Sequence, residues 1–258
     1  KRNKNQEKKY KIYFSTSKII HYLMLKKDLV IIPTYNEAIN SSLIYKKIRS
    51  TNSRSEILFI DDNSPDNTSL VINEIMNNDK KVYLINRKKK LGIGSAHKEG
   101  FLWAKKNKFN YITTIDADLS HDPNLIPYML KNIEKYDIII TSRFLQEDSL
   151  EEWALIRKVI TKTRHRIVKL LLGVPYDTSG AFRCYNFNRI KIDDLLMAKD
   201  NGYSFFWESL YILYKKKYTI LEIPTKIPRR IYGSSKLKIK DILRAVTYLI
   251  YFYFKKKF

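Results

Sequence analysis

Short continuous apolar runs alternate with longer stretches of helical periodicity through the first half of the chain. The apolar runs predict buried strands, which we place at Leu29–Ile32, Ile57–Ile60, Val82–Asn86, Tyr111–Ile115 and Asp137–Thr141. The stretches between them predict helices over about residues 38–50, 68–76, 95–107 and 125–135. A strand followed repeatedly by a helix is typical of a mostly parallel sheet with helices on both faces. The pattern therefore predicts a single α/β domain with a Rossmann-like sheet.

The second half of the chain is less regular and ends in an amphipathic stretch. The pattern predicts a long basic helix at Glu151–Leu172, an aromatic helix at Phe205–Tyr214 and a proline-interrupted edge strand at Ile220–Ile227. Residues Ile242–Phe254 are apolar and aromatic, and three lysines follow them. This run is too short to cross a bilayer unaided, so it predicts a C-terminal helix at a membrane interface. A C-terminal helix packed in the core is the alternative.

Polar and acidic side chains follow three of the predicted strands at the point where each strand ends. They are Tyr35 and Glu37 after the first strand, Asp61 and Asp62 after the second, and Asp116 and Asp118 after the fourth. Because the carboxyl ends of parallel strands share one edge of a sheet, we expect these groups to lie where α/β proteins bind ligands. Such carboxylates bind Mg²⁺ or Mn²⁺ together with substrate phosphates. The sequence therefore predicts a metal–diphosphate site, although an isolated Asp-x-Asp also fits a polar turn before a helix.

Basic residues outnumber acidic ones almost two to one. The chain has 49 Lys and Arg against 26 Asp and Glu, which gives a net charge of +23. This charge favours a polyanionic partner, whether nucleic acid, anionic lipid or a phosphorylated substrate, although its even spread also fits compositional drift. Nucleic-acid binding does not account for the acidic strand ends, so we predict no nucleic-acid partner. A single cysteine, Cys184, excludes an internal disulfide framework.

Basic side chains beyond the predicted sheet are candidates for binding phosphates, since guanidinium groups bind phosphate oxygens in a bidentate manner. The candidates are Arg143, Arg157, Arg183, Arg230 and Lys236. Together with the acidic strand ends they suggest a nucleoside diphosphate joined to a transferable group.

Five motifs, taken together and in this order, resemble the dolichol-phosphate mannosyltransferase family. They are Pro33–Glu37, Asp61–Asp66, Asp116–His121, Ser142–Phe144 and Arg230–Leu237. This family is the inverting, GT-A-fold branch of glycosyltransferase family 2. The resemblance implies a GT-A domain over residues 28–228. A basic N-terminal extension over 1–27 would precede it, and an acceptor loop with a membrane-interface helix over 229–258 would follow it.

The resemblance also implies roles for individual residues. The expected guanosine pocket consists of Pro33, Tyr35, Glu37, Ile60 and Asp62. The residues expected to contact the ribose and diphosphate of the donor are Asp116, Ala117 and Asp118. The predicted ligands of Mg²⁺ or Mn²⁺ are Asp116, Asp118 and Ser120. The residues expected to stabilise the reacting phosphates are Asp118, Arg143, Arg230 and Lys236. Glu208 resembles a retained acidic position, although a helix-surface glutamate is an equal alternative.

The function implied by the resemblance is transfer of mannose from GDP-mannose to dolichyl phosphate, with inversion at the sugar carbon. A location on the cytosolic face of the endoplasmic reticulum membrane follows from it. So do roles in protein glycosylation and GPI-anchor synthesis, and possible small membrane-protein subunits. Two alternatives stay open, namely a dolichyl-phosphate glucosyltransferase that uses UDP-glucose and a non-catalytic basic module that binds nucleic acid or membranes. The amino-acid sequence of the motif Asp116–His121 favours mannose over glucose.

Overall fold

A computed structural model describes residues 26–52, 54–228 and 239–255 of the chain. Seven strands occur in these ranges: β1 Asp28–Thr34, β2 Glu56–Asp61, β3 Val82–Asn86, β4 Tyr111–Thr114, β5 Ile138–Ser142, β6 Arg183–Asn186 and β7 Ile220–Pro224. The helices there are α1 Ala38–Thr51, α2 Thr68–Asn78, α3 Ile93–Lys106, α4 Leu125–Asn132, α5 Leu155–Leu172, α6 Ile192–Leu196, α7 Phe205–Lys215 and α8 Ile239–Lys255. Two short 3₁₀ helices lie at Ile133–Lys135 and Glu147–Leu150.

The strands form one sheet with the order β3-β2-β1-β4-β6-β5-β7. Every neighbouring pair is parallel except those of β6, which runs antiparallel to both β4 and β5. β7 lies at the edge of the sheet, as predicted, and Pro224 is its last residue. The prediction of a mostly parallel α/β sheet is therefore confirmed.

Successive side chains of the central strands point to opposite faces of the sheet, so the core consists of two layers. Leu29 and Ile31 of β1 belong to a first core with α3, α5 and α7, whereas Val30 and Ile32 belong to a second core with α1, α2 and α4. Successive strand residues point to opposite faces, so a strand that is apolar throughout needs helices on both sides. This arrangement leaves the carboxyl edge of the sheet open to loops.

The structure differs from the sequence predictions at several boundaries. The sequence pattern did not predict β6, because four residues carry too little periodicity to distinguish a strand. The long basic helix begins at Leu155, after a 3₁₀ turn, rather than at Glu151. The predicted N-terminal extension lies outside the described residues apart from its last two. Among the helices of the described ranges, we find none that combines the length and apolar character needed to cross a membrane.

Candidate functional site

The three strand ends with polar side chains lie side by side at one edge of the sheet. β1 lies between β2 and β4 and is parallel to both. The register pairs Thr34 with Asp61, and Pro33 with Ile60, at the end of β1. The loops that begin after β1, β2 and β4 therefore emerge next to one another, as expected for a ligand-binding edge.

The loops after β1 and β2 are hydrogen bonded to each other. The backbone N–H of Asn36 donates to Ser64 Oγ at 2.9 Å, and that of Glu37 donates to Thr68 Oγ1 at 2.9 Å. Asp61 accepts the Ser64 N–H at 2.8 Å and is fully buried. Because Ser64 binds both Asp61 and the Asn36 N–H, the buried Asp61 holds the two loops together and does not face a ligand.

Asp62, predicted to line the nucleotide pocket, is held by a buried arginine that the sequence analysis missed. Arg87 Nη1 lies 2.6 Å from Asp62 Oδ1, and the Gly92 N–H donates to Asp62 Oδ2 at 3.0 Å. Arg87 also lies 3.1 Å from Glu99, and its side chain is only 4% exposed. In the sequence Arg87 precedes three lysines and resembles a solvated basic loop. Its position directly after β3 was the one available signal.

The other residues of the expected guanosine pocket differ in their accessibility. Tyr35 is half-buried, and Lys90 Nζ lies 3.7 Å from the centre of its ring. Glu37 is also half-buried, and its Oε2 accepts a bond from Asn40 Nδ2 at 2.5 Å. The Ile60 side chain has no solvent exposure and packs in the first core. The place of Ile60 in the guanosine pocket stays a prediction from the sequence.

A tight turn after β4 carries the acidic pair. Asp118 Oδ1 accepts the Ser120 N–H at 3.0 Å, and Leu119 between them has a φ of +58°, a left-handed conformation that is uncommon for leucine. Asp116 Oδ2 lies 3.8 Å from Nδ1 of the buried His121. Ala117, Asp118 and Ser120 are all buried, whereas Asp116 retains partial exposure. The strained turn therefore directs these residues inward at the edge of the sheet.

Oxygen donors at this turn fit a hard divalent cation. Asp116, Asp118 and Ser120 offer two carboxylates and a hydroxyl within five residues of chain, and such donors suit Mg²⁺ or Mn²⁺. Across the described ranges, no cluster of three or more His, Cys, Asp or Glu side chains is arranged to hold a metal ion. Two protein carboxylates are nevertheless typical of Mg²⁺ sites that use substrate phosphates as further ligands.

Arg143 lies after β5 and is oriented by a buried carboxylate. Its Nε lies 2.9 Å from Asp177 Oδ2, and Asp177 also accepts the N–H of Ser179 at 3.0 Å. Burial opposes ionisation of Asp177, but Arg143 and Ser179 hold the pKa of Asp177 below its usual range. Arg143 borders a cavity of about 530 Å³ between the loop after β5 and Lys158 and Lys162 of α5.

Three other candidates have structural contacts in place of the expected ones. Arg183 is buried and donates to the carbonyl oxygens of Gly180, Thr178 and Phe206 at 2.9, 3.0 and 2.8 Å. Its predicted phosphate contact is therefore wrong, because the guanidinium lies inside the core.

Arg157 stacks 3.6 Å from the ring of Trp153 on the exposed part of α5. Glu208 is 2% exposed and accepts bonds from the Asp200 N–H and the Tyr248 hydroxyl, both at 3.0 Å, so it is not a surface residue. Arg230 and Lys236, both predicted to bind phosphate, lie outside the described residues.

Comparison with characterised proteins gives relatives over most of the chain. The glycosyl transferase family 2 model matches residues 29–192. The polyprenol monophosphomannose synthase of Mycolicibacterium smegmatis is 30% identical over 224 residues, which cover 86% of this chain and 84% of that protein. The undecaprenyl-phosphate mannosyltransferase of Micrococcus luteus is 29% identical over 210 residues, 81% of this chain and 86% of that protein.

Solved structures share the fold at low sequence identity. Glucosyl-3-phosphoglycerate synthase from Mycobacterium tuberculosis, in complex with Mn²⁺, UDP and phosphoglyceric acid, has a TM-score of 0.62 at 14% identity and covers 88% of this chain and 77% of its own. Its complex with Mg²⁺ and UDP has a TM-score of 0.56 at 14% identity, over 82% of this chain and 73% of its own. These likenesses confirm a GT-A-like fold. The family match over more than half of the chain shows that this protein belongs to glycosyl transferase family 2.

Proposed function

We propose that this protein transfers mannose from GDP-mannose to a polyprenyl phosphate, specifically dolichyl phosphate, and forms dolichyl β-D-mannosyl phosphate. The names of the two relatives support the acceptor class and the sugar, since one is a polyprenol monophosphomannose synthase and the other an undecaprenyl-phosphate mannosyltransferase. The observation that carries the proposal is the convergence of Glu37, Asp62 and the turn at Asp116–Ser120 on the edge formed by β2, β1 and β4.

The acceptor's own charge decides which chemistry the protein must supply. A phosphate monoester carries about −1.5 to −2 charges near neutral pH, so its oxygen attacks without a general base. A bond forms between this oxygen and C1 of mannose, while the bond from C1 to the diphosphate breaks and GDP leaves with the electron pair. Attack opposite the leaving group converts the α linkage of the donor to a β linkage.

The protein therefore has to bind and orient the two substrates and to neutralise the negative charge of their phosphates. Asp118, with Asp116 and Ser120, would hold Mg²⁺ or Mn²⁺. A bound metal would supply electrostatic stabilisation of the diphosphate. Arg143, fixed by Asp177, is positioned to bind phosphate oxygens of donor or acceptor, and we assign the same role to Arg230 and Lys236 from the sequence. The endoplasmic reticulum location, the roles in protein glycosylation and GPI-anchor synthesis, and the membrane-protein subunits remain predictions from the sequence alone.

A transfer assay with radiolabelled donor tests the reaction. The full chain is incubated with Mn²⁺ and dolichyl phosphate, and labelled lipid is extracted after addition of either GDP-mannose or UDP-glucose. We expect lipid-linked mannose and little lipid-linked glucose. Undecaprenyl phosphate in a parallel reaction measures the preference for the acceptor chain.

Two matched variants test whether Asp118 takes part in the reaction. Asp118→Asn is expected to lower transfer by about 100-fold or more, since it removes a charged group that acts on the transition state. Asp122→Asn changes an exposed carboxylate four residues away and should leave transfer near the wild-type rate. Equal rates for Asp118→Asn and the wild type would remove Asp118 from the reaction. Glucose transfer in place of mannose transfer would establish the alternative with UDP-glucose.

A further inference from the structure

Asn40 lies on the buried side of the first turn of α1, three residues after Glu37. Its side chain is 3% exposed, and its Nδ2 donates to Glu37 Oε2 at 2.5 Å. Its Oδ1 is buried and has no hydrogen-bond partner among the described residues. A buried amide that is only partly satisfied lowers stability, and an apolar side chain of the same shape would avoid that cost. Folding alone therefore does not account for an asparagine at this position.

The hydrogen bond determines how the two side chains are oriented. Rotating the Asn40 amide by half a turn would bring Oδ1 against Glu37 Oε2, and two oxygen acceptors repel each other. A bond donated to an ionised carboxylate is stronger than one between neutral groups. Asn40 is packed into the protein, whereas Glu37 is only half-buried. The buried amide therefore holds the more accessible carboxylate in place.

The Glu37 carboxylate does not serve to cap α1. Glu37 is the N-cap residue, but in the part of the chain that the structure describes its side chain makes no capping hydrogen bond. The N–H of Ala38 donates instead to Asp66 Oδ2 at 3.2 Å, and the N–H of Glu37 itself donates to Thr68 Oγ1. Ser, Thr, Asp and Asn are the preferred N-cap residues, and Glu is not among them. Asn40 thus orients a carboxylate that the helix itself does not use.

We infer that Asn40 determines the specificity for the base of the donor nucleotide, as a positioning residue that acts through Glu37. The inference rests on the proposed function, in which the Glu37 carboxylate accepts hydrogen bonds from the guanine of GDP-mannose. Guanine presents two adjacent N–H donors, whereas uracil presents one N–H between two carbonyl oxygens. A carboxylate held in one orientation accepts both guanine donors and repels the uracil oxygens, and such repulsion contributes to specificity.

Nucleotide binding to the full chain tests the role of Asn40 without the transfer reaction. Isothermal titration calorimetry in the presence of Mn²⁺ gives the dissociation constants of GDP and UDP, and their ratio measures the preference for guanine. Asn40→Leu keeps the volume of the side chain but removes the donor, so we expect the preference to fall by about 10-fold. Asn40→Ala should act in the same direction, which guards against a fault of packing specific to leucine.

Asn52→Leu is the matched control on the same helix. Asn52 is 8% exposed, lies at the C-terminal end of α1, and donates from Nδ2 to Ser55 Oγ. Its replacement also removes a buried amide, but far from Glu37 in the helix. We expect this variant to lower the midpoint of thermal unfolding and to retain the preference of the wild type for GDP.

A double-mutant cycle with Glu37→Gln separates positioning from general support of the fold. Glu37→Gln lowers the preference for GDP by itself, and Asn40→Leu in that background should lower it no further, because both changes act through one carboxylate. A merely structural role would weaken GDP and UDP binding equally. An unchanged preference in both Asn40 variants, with a wild type that prefers GDP, would overturn this inference alone. A wild type that binds UDP as tightly as GDP would overturn the guanine assignment and the proposed donor with it.

Discussion

Arg87 lies beneath the candidate site and forms ion pairs with two carboxylates, those of Asp62 and Glu99. We expect Arg87→Met to lower the free energy of unfolding by about 3 kcal/mol, because the buried Asp62 carboxylate loses its partner. Chemical denaturation measures the change. The control is Arg54→Met, which removes a 60% exposed arginine 3.7 Å from Asp28 and should cost less than about 1 kcal/mol. Similar losses in both variants would show that Arg87 does not support Asp62.

His97 gives a pH dependence that is separate from the candidate site. Burial among Phe101, Phe205 and Phe206 lowers the pKa of His97 to about 4 from an ordinary value of 6.5. Because the folded-state pKa is the lower one, neutral His97 contributes fully to stability above pH 6.5, and this contribution is lost as the pH falls toward 4. Linkage puts the loss at about 3 kcal/mol.

Urea denaturation of the wild type and His97→Gln from neutral pH to about pH 4 isolates this effect. The difference in the free energy of unfolding should move in favour of the variant by about 3 kcal/mol as the pH falls, because glutamine does not titrate. A difference that stays constant across this range would mean that His97 is protonated in the folded protein.

The sequence predicted the position of those site residues that directly follow a parallel strand. Asp62, Asp116 and Asp118 each follow an apolar run, so their common edge could be inferred from the sequence. The partner of Asp62 could not, because Arg87 is 25 residues away and depends on the pairing of β2 with β3. Arg183 was assigned wrongly for a related reason, since its burial follows from the antiparallel strand β6.

At the scale of elements, α8 depends on a few contacts with α7. The Tyr248 hydroxyl donates to the buried Glu208 at 3.0 Å, and Phe252 packs against Trp207 and Tyr211. We expect Tyr248→Phe to loosen α8 and to cost about 1–3 kcal/mol, because a buried carboxylate loses a hydrogen bond. Hydrogen exchange of the α8 amides should rise by about 10-fold or more.

Tyr251→Phe provides the matched control on the same helix. Tyr251 is 57% exposed, and its hydroxyl accepts a bond from Lys255 at the surface. Its loss should change exchange in α8 by less than a factor of about two, since water replaces the lost partner. Equal exchange in wild type and Tyr248→Phe would mean that apolar packing alone holds α8.

The sequence indicated what kind of element α5 and α8 are but not how they pack. Helical periodicity predicted both segments, and the proximity of Glu208 to Tyr248 connects residues 40 apart in the chain. Helix α5 buries Val168 and Leu172 and exposes Leu155 and Leu170, and the sequence does not distinguish them, since buried and exposed apolar positions have the same composition. Only exposed surface in the folded protein separates them.

At the scale of the whole molecule, β6 divides the sheet into two parts. β3, β2, β1 and β4 carry the predicted nucleotide residues, whereas β5 and β7 lie beyond the antiparallel strand, with Arg143 after β5. The alternating pattern predicted the first part well because each parallel strand there is followed by its helix. The second part depends on β6, whose four residues gave no periodic signal.

The predicted nucleotide residues at the ends of β1, β2 and β4 give a test of the proposed donor on the folded protein. A ligand that binds only the folded state stabilises it by about 2.7 kcal/mol at a concentration of 100 times its dissociation constant. For a chain of this size, that gain raises the midpoint of thermal unfolding by roughly 5–10 °C. We expect Mn²⁺ with GDP to produce such a shift, Mn²⁺ with UDP a much smaller one, and GDP without metal little.

Glu37→Gln should reduce the preference for GDP over UDP, because the carboxylate is the expected acceptor for guanine N–H groups. Asp118→Asn should abolish both shifts while Asp122→Asn preserves them. A shift with UDP as large as that with GDP would contradict the guanosine pocket, and a full GDP shift in Asp118→Asn would contradict the metal turn.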